Sequence, residues 1–173
     1  AGNCGLGAVV RSNYFHDNLT RGILAHAECL IEGNRMERIG SAAVVVFAGL
    51  YWLEGPLPHD VIIRGNTILE SGQQKQSHNK FAEQFGAITL LLEPDGGAVS
   101  PARPISNIVI TGNRIIRPSA VGILCLNACG CEISGNAIEA PFSRKSDGLG
   151  SKLGLVDPYY ALYFESCAGI RLR

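Results

Sequence analysis

The stretch VIIRGNTI at residues 61–68 is written again as IVITGNRI at residues 108–115. Both copies are apolar at the first, third and eighth positions, with glycine and asparagine at the fifth and sixth. Relaxing this to apolar-x-apolar-x-x-Asn-x-apolar finds AVVRSNYF (8–15), CLIEGNRM (29–36) and CEISGNAI (131–138) as well. The asparagines Asn13, Asn34, Asn66, Asn113 and Asn136 are separated by 21, 32, 47 and 23 residues. The short spacings mark a bare repeat, and the long ones mark the same repeat carrying insertions.

A second apolar run with a small residue in front belongs to each unit. These runs are GILAHA (22–27), AVVVFA (43–48), GAITLLL (86–92), GILCLN (122–127) and ALYFES (161–166). Period-two alternation over such short runs is a strand signal. Two or three short strands per coil, with little helical periodicity, predict an all-β, single-stranded parallel β-helix of five to six coils. Parallel crossovers fix its hand as right. Within VIIRGNTI, Val61, Ile63 and Ile68 are expected to point inward and Ile62 and Arg64 outward. Gly65 and Asn66 then occupy a bend, both tolerating left-handed backbone. Coils stacked at the strand spacing of about 4.8 Å place the asparagine amides within hydrogen-bond reach, forming a ladder.

The leucine-rich repeat has a similar asparagine pattern and is the main competitor. The inward slots argue against it: Ala8, Val10, Phe15, Cys29, Ile31, Met36, Val61, Ile63, Ile68, Ile108, Ile110, Ile115, Cys131, Ile133 and Ile138 include no leucine. At the C-terminal side, CAGIRLR aligns with ACGCEIS, which puts Ile170 and Leu172 in the slots of Cys131 and Ile133. No capping segment is recognised at either end. Residues 1–173 are therefore expected to form one β-helix fragment, internal or C-terminal in a longer chain whose missing coils would be its natural neighbours.

Insertions are expected at about 48–60, 73–85, 94–106 and 142–160, on both sides of the sheet formed by the second runs. Loops flanking one face make a groove, and loops on a rigid scaffold carry function. Its floor would be Leu24, His26, Val45, Phe47, Leu124, Leu126, Tyr163 and Glu165; the register of GAITLLL is ambiguous. An apolar stripe of this kind calls for a cover of loops, a partner or a ligand.

Chemistry-bearing residues concentrate around YWLEGPLPHD (51–60). Trp52, the only tryptophan, sits beside Tyr51 and Glu54. An aromatic ring next to a carboxylate suits a sugar, whose C–H face stacks while its hydroxyls meet the acid; alternatively, Trp52 pins its own loop to the apolar floor. His26 and Arg21 are further substrate-binding candidates, each with an equally plain structural role at a strand edge or turn. His59 and Asp60 are expected to cap the turn that closes the loop. Histidines 16, 26, 59 and 78 have no paired spacing, and Cys125, Cys129 and Cys131 lack a second Cys/His pair, so neither metal nor other cofactor is expected. Cys125 and Cys131 fall in core slots, while a disulfide among the six cysteines stays open. Equal numbers of basic and acidic residues, 15 each, give no electrostatic reason for a nucleic-acid or membrane partner. No apolar run approaches the roughly 18 residues of a membrane span.

The I-x-G-N-x-I coils resemble the repeat of pectate-lyase-like parallel β-helix proteins. RGILAHAECLIEGNRMERIGSAAVVV together with YWLEGPLPHDVIIRGNTI is similar to the C-terminal coils of glycoside hydrolase family 110, the inverting α-1,3-galactosidases, most closely over residues 8–72. That resemblance implies a glycan ligand, removal of terminal α-linked galactose and a secreted or periplasmic setting. The family's adjacent aspartate pair lies in coils N-terminal to this region and has no counterpart here, so the catalytic residues are unknown and these coils alone are expected to be inactive. Inverting hydrolysis needs two carboxyl groups about 6.5–9.5 Å apart, and Glu54, Glu93, Asp95 and Glu165 offer no matched pair. A polysaccharide lyase and a non-catalytic structural or adhesive shaft are the alternatives.

Overall fold

Every coil repeats three short strands, because each apolar run is cut by a residue in left-handed conformation. The computed structural model describes residues 5–50, 55–72, 86–92, 99–143 and 160–173. The first coil holds β1 (Ala8–Arg11), β2 (Tyr14–His16) and β3 (Ile23–Ala25), and the second β4 (Cys29–Glu32), β5 (Arg35–Glu37) and β6 (Val44–Ala48). The third has β7 (Val61–Arg64), β8 (Thr67–Leu69) and β9 (Ile88–Leu92). The fourth adds a short strand, giving β10 (Ile105–Ser106), β11 (Val109–Thr111), β12 (Arg114–Ile116) and β13 (Ile123–Leu126). The fifth matches it with β14 (Ala128–Cys129), β15 (Glu132–Ser134), β16 (Ala137–Glu139) and β17 (Leu162–Glu165), and β18 (Arg171–Leu172) begins another turn.

Equivalent strands stack in parallel. Strands β1, β4, β7, β11, β15 and β18 form one sheet, here sheet A; β2, β5, β8, β12 and β16 form sheet B; β3, β6, β9, β13 and β17 form sheet C. Strands β10 and β14 pair separately, so residues 105–106, expected within an insertion, belong to the regular coil. This is a parallel β-helix.

The expected register holds, with Cys29 opposite Val61, Ile31 opposite Ile63 and Ile63 opposite Ile110. Ile31, Ile63 and Ile110 from sheet A, Met36, Ile68 and Ile115 from sheet B, and Val46, Leu90 and Cys125 from sheet C fill one continuous core. Each buried isoleucine or leucine contributes roughly 1.5–3 kcal/mol. Expected core positions near the outer coils differ: Ala8 is exposed, Val10 half-buried, and Phe15, Cys29 and Ile138 are half-buried against the core; β1, β2 and β16 each have a sheet neighbour on one side only among the described residues. Leu172 pairs with Ile133 as aligned, yet is exposed for the same reason.

The first bend corrects one expectation. Left-handed φ belongs to the residue before the asparagine, at Gly33, Gly65, Gly112 and Gly135 (58–62°) and at Ser12 (56°). The asparagine keeps an ordinary φ and turns its amide along the stack. Nδ2 of Asn13, Asn34, Asn66 and Asn113 donates to Oδ1 of the next asparagine at 3.1, 3.0, 2.9 and 2.9 Å. The same Oδ1 also accepts the backbone N–H of the preceding asparagine at 2.9–3.0 Å. The second Nδ2 proton of Asn34, Asn66 and Asn113 goes back to the carbonyl of Val10, Ile31 and Ile63. Both donors and both acceptor sites of these amides are thus used, which is the full capacity of the group.

A second left-handed position lies four residues after each asparagine, at Asp17, Arg38, Glu70, Arg117 and Ala140. Four of these stack as alternating charges. Arg38 holds both Asp17 oxygens at 2.6 and 2.8 Å, and Arg117 pairs with Glu70.

Candidate functional site

Sheet C carries the face expected to be functional, and its pairing fixes the register that GAITLLL leaves open. Leu24, Val45, Thr89, Leu124 and Tyr163 form one outward column; Phe47, Leu91, Leu126 and Glu165 follow in the next, with His26 beside Phe47. Much of this strip is not an open groove floor. Val45, Leu91, Leu124 and Leu126 are buried in a second apolar cluster with Ala42 and Val121, against which Val99 and Phe142 pack. Val99 and Phe142 fall within the expected insertions 94–106 and 142–160, so these described residues cover part of the face. Leu24, in β3, which has a sheet C neighbour on one side only among the described residues, is 39% exposed.

His26 directly follows β3 and is half-buried. Its Nδ1 lies 2.8 Å from the Phe47 carbonyl, and its ring meets the Phe47 ring edge-on at 5.8 Å and 62°. These contacts fix the imidazole at the border of sheet C. Gly55, the fifth residue of YWLEGP, comes to the same place. A Cβ built on Gly55 would lie 2.7 Å from His26 Cβ and 3.1 Å from Cγ, so only glycine lets the backbone pass this close. Tyr51, Trp52 and Glu54 themselves lie outside the described residues.

Arg21 enters β3 from the other end. Five residues of near-extended chain separate it from His26, about 16 Å, so a ligand touching both has to lie along the strand. Arg21 Nε is buried and has no hydrogen-bond partner among the described residues, as has Ser41 Oγ in the adjoining coil. A buried donor left unpaired is costly, which makes this corner one where a ligand oxygen would be stabilising.

At the far end of the strip the Tyr163 hydroxyl donates to Glu165 Oε2 at 3.0 Å. Burial, then this carboxylate, pushes the phenol pKa up to about 12. His59 and Asp60 act as expected of a turn: Asp60 takes φ 53°, and His59 Nδ1 lies 2.8 Å from its carboxylate. Asn127 is a residue the repeat did not single out. It is buried with φ 64°, and its amide donates to the Ser100 and Ala102 carbonyls, pinning residues 100–102 against the coil. The one signal for it is an asparagine outside the ladder register.

Cys29, Cys125, Cys129, Cys131 and Cys167 are free thiols. Burial pushes the Cys131 thiol up to about 11 and that of Cys125 well above its ordinary value, so both stay protonated as core residues. Among the described residues no three His, Cys, Asp or Glu side chains cluster as metal ligands. Compared with known proteins, the chain matches no family model and no curated protein.

Proposed function

We propose that these coils belong to a carbohydrate-active β-helix protein, a glycoside hydrolase acting on terminal α-galactosides, with its catalytic acids on coils N-terminal to this region. The observation that supports the reading is the approach of Gly55, the residue that follows Tyr51–Glu54 in sequence, to the His26 ring fixed at the border of sheet C. An imidazole nitrogen suits a sugar hydroxyl, and the aromatic and acidic residues that YWLEGP carries in sequence suit the sugar's ring face and its other hydroxyls. In this reading the glycan lies along β3, from His26 toward Arg21 Nε, which has no hydrogen-bond partner among the described residues. The resemblance of residues 8–72 supplies the galactoside and the hydrolase class; the geometry bears only on where a sugar sits.

The shaft alternative draws on an exposed apolar stripe for oligomerisation, and the burial of Val45, Leu124 and Leu126 within one chain removes part of that stripe, leaving Leu24 exposed and Phe47 and Tyr163 half-buried. Titration with α-1,3-galactobiose, followed by amide shifts in two-dimensional NMR, tests the proposal. Expected are shifts at residues 24–26, 47 and 55, and about tenfold weaker binding in His26→Ala and Gly55→Ala. Unshifted amides in that set at saturating disaccharide would defeat it, and a calcium-dependent rise in melting temperature would favour the lyase instead.

A further inference from the structure

Sheet B carries a second arrangement, away from the sheet C strip, in its first two coils. Tyr14 is 54% exposed on the outward face of β2, which has a sheet B neighbour on one side only among the described residues, so its ring stays in one place only if neighbouring side chains hold it. Two contacts do. The ring stacks on His16 at 4.7 Å and 28°, and the hydroxyl donates to Glu37 Oε2 at 2.7 Å. Glu37 is itself held by Arg35 and by Arg38 at 3.3 Å, and Arg38 is held by Asp17. The ring is therefore preorganised, so a ligand stacking on it would freeze little side-chain freedom.

The surroundings select the ligand. Two cations and two carboxylates leave the patch without net charge, which gives an anionic or cationic polymer no advantage. The Tyr14 oxygen spends its proton on Glu37 and keeps acceptor capacity for a hydroxyl. Along the stack, Tyr14 is followed at the same register position by Arg35, Thr67 and Arg114, so hydroxyl-binding groups recur at each strand spacing of about 4.8 Å. We infer that sheet B holds a second saccharide-binding surface, in which a neutral oligosaccharide stacks one ring on Tyr14 and runs along the solenoid over Arg35 and Thr67. The inference rests on the carbohydrate reading above for its ligand class, but uses none of its residues.

The test is amide-shift mapping with a neutral galacto-tetrasaccharide on the whole chain, the Tyr14→Ala variant and the Tyr14→Phe variant. Shifts at residues 14–16, 35–38 and 67 are expected, with affinity reduced about tenfold in Tyr14→Ala and within about threefold of the parent in Tyr14→Phe, which keeps the stacking face. A spectrum that matches the parent before titration shows that each variant is folded. Shifts confined to residues 24–26, 47 and 55 would overturn this surface and leave the sheet C proposal standing. Shifts confined to sheet B would do the reverse, and none at either would overturn both. Equal affinity in Tyr14→Ala would also overturn it.

Discussion

At the residue scale the ladder asparagines do two jobs that no other side chain does at once. Oδ1 accepts two N–H groups from the preceding rung, while Nδ2 donates to the next rung and to a carbonyl behind. Asn66→Ala strands the backbone N–H and one Nδ2 proton of Asn34 and is expected to cost about 2–4 kcal/mol, read from denaturant midpoints. Asn66→Asp keeps the acceptor but buries a charge against Asn113 Oδ1, so it should be at least as harmful at neutral pH. Its deficit relative to the parent should shrink as pH falls, because the protonated carboxyl regains a donor. Glycines separate by the same logic. A Cβ on Gly65 meets nothing within 4 Å, so Gly65→Ala carries only the left-handed penalty of roughly 1–2 kcal/mol. A Cβ on Gly40 lies 2.1 Å from the Leu19 carbonyl oxygen, and Gly40→Ala should be the more destabilising of the two in thermal unfolding. The ladder was legible because five copies share one register. Asn127, equally buried, was not, since it acts once and its partners lie on an insertion.

At the element scale, register is readable only where one face of a strand is wet. VIIR alternates buried and exposed, and its pairing follows from the sequence. ITLLL is buried at all five positions, so hydrophobicity cannot say which side faces the core, and pairing with Val44–Ala48 decides it. The charged bend between sheets B and C was invisible for a different reason: its residues are neighbours only across coils. Arg38, then His16, holds the Asp17 carboxyl far below the usual carboxylate range. Arg64, with Arg11, lowers Glu32, and the Tyr14 hydroxyl, with Arg35, lowers Glu37. Groups depressed in the folded state stabilise it fully above their unfolded values and lose that contribution as pH falls through the folded ones. Melting temperature should therefore hold from neutral pH down to about pH 4–5 and decline below. Arg38→Gln should flatten the decline; an acid limb identical to that of the parent would mean the stacked charges are screened out.

For the whole molecule, stability is a sum over neighbouring coils. Strands β4, β7, β11 and β15 each have a sheet A partner on both sides, whereas β1 and β18 have one among the described residues. Burial follows the same gradient along one inward column: Ile31, Ile63 and Ile110 are fully buried, while Val10 is half-buried and Leu172 more than half exposed. Opening β1 breaks a single interface and releases little apolar surface, but opening β7 breaks two and splits both the ladder and the core. Native-state hydrogen exchange should therefore show protection highest in β4, β7 and β11 and lowest in β1 and β18. Asn66→Ala should raise exchange on both sides of β7, with Asn34 and Asn113 affected before Asn13. A uniform change across all rungs would show that the coils unfold only as one unit, rather than as neighbours coupled through each interface.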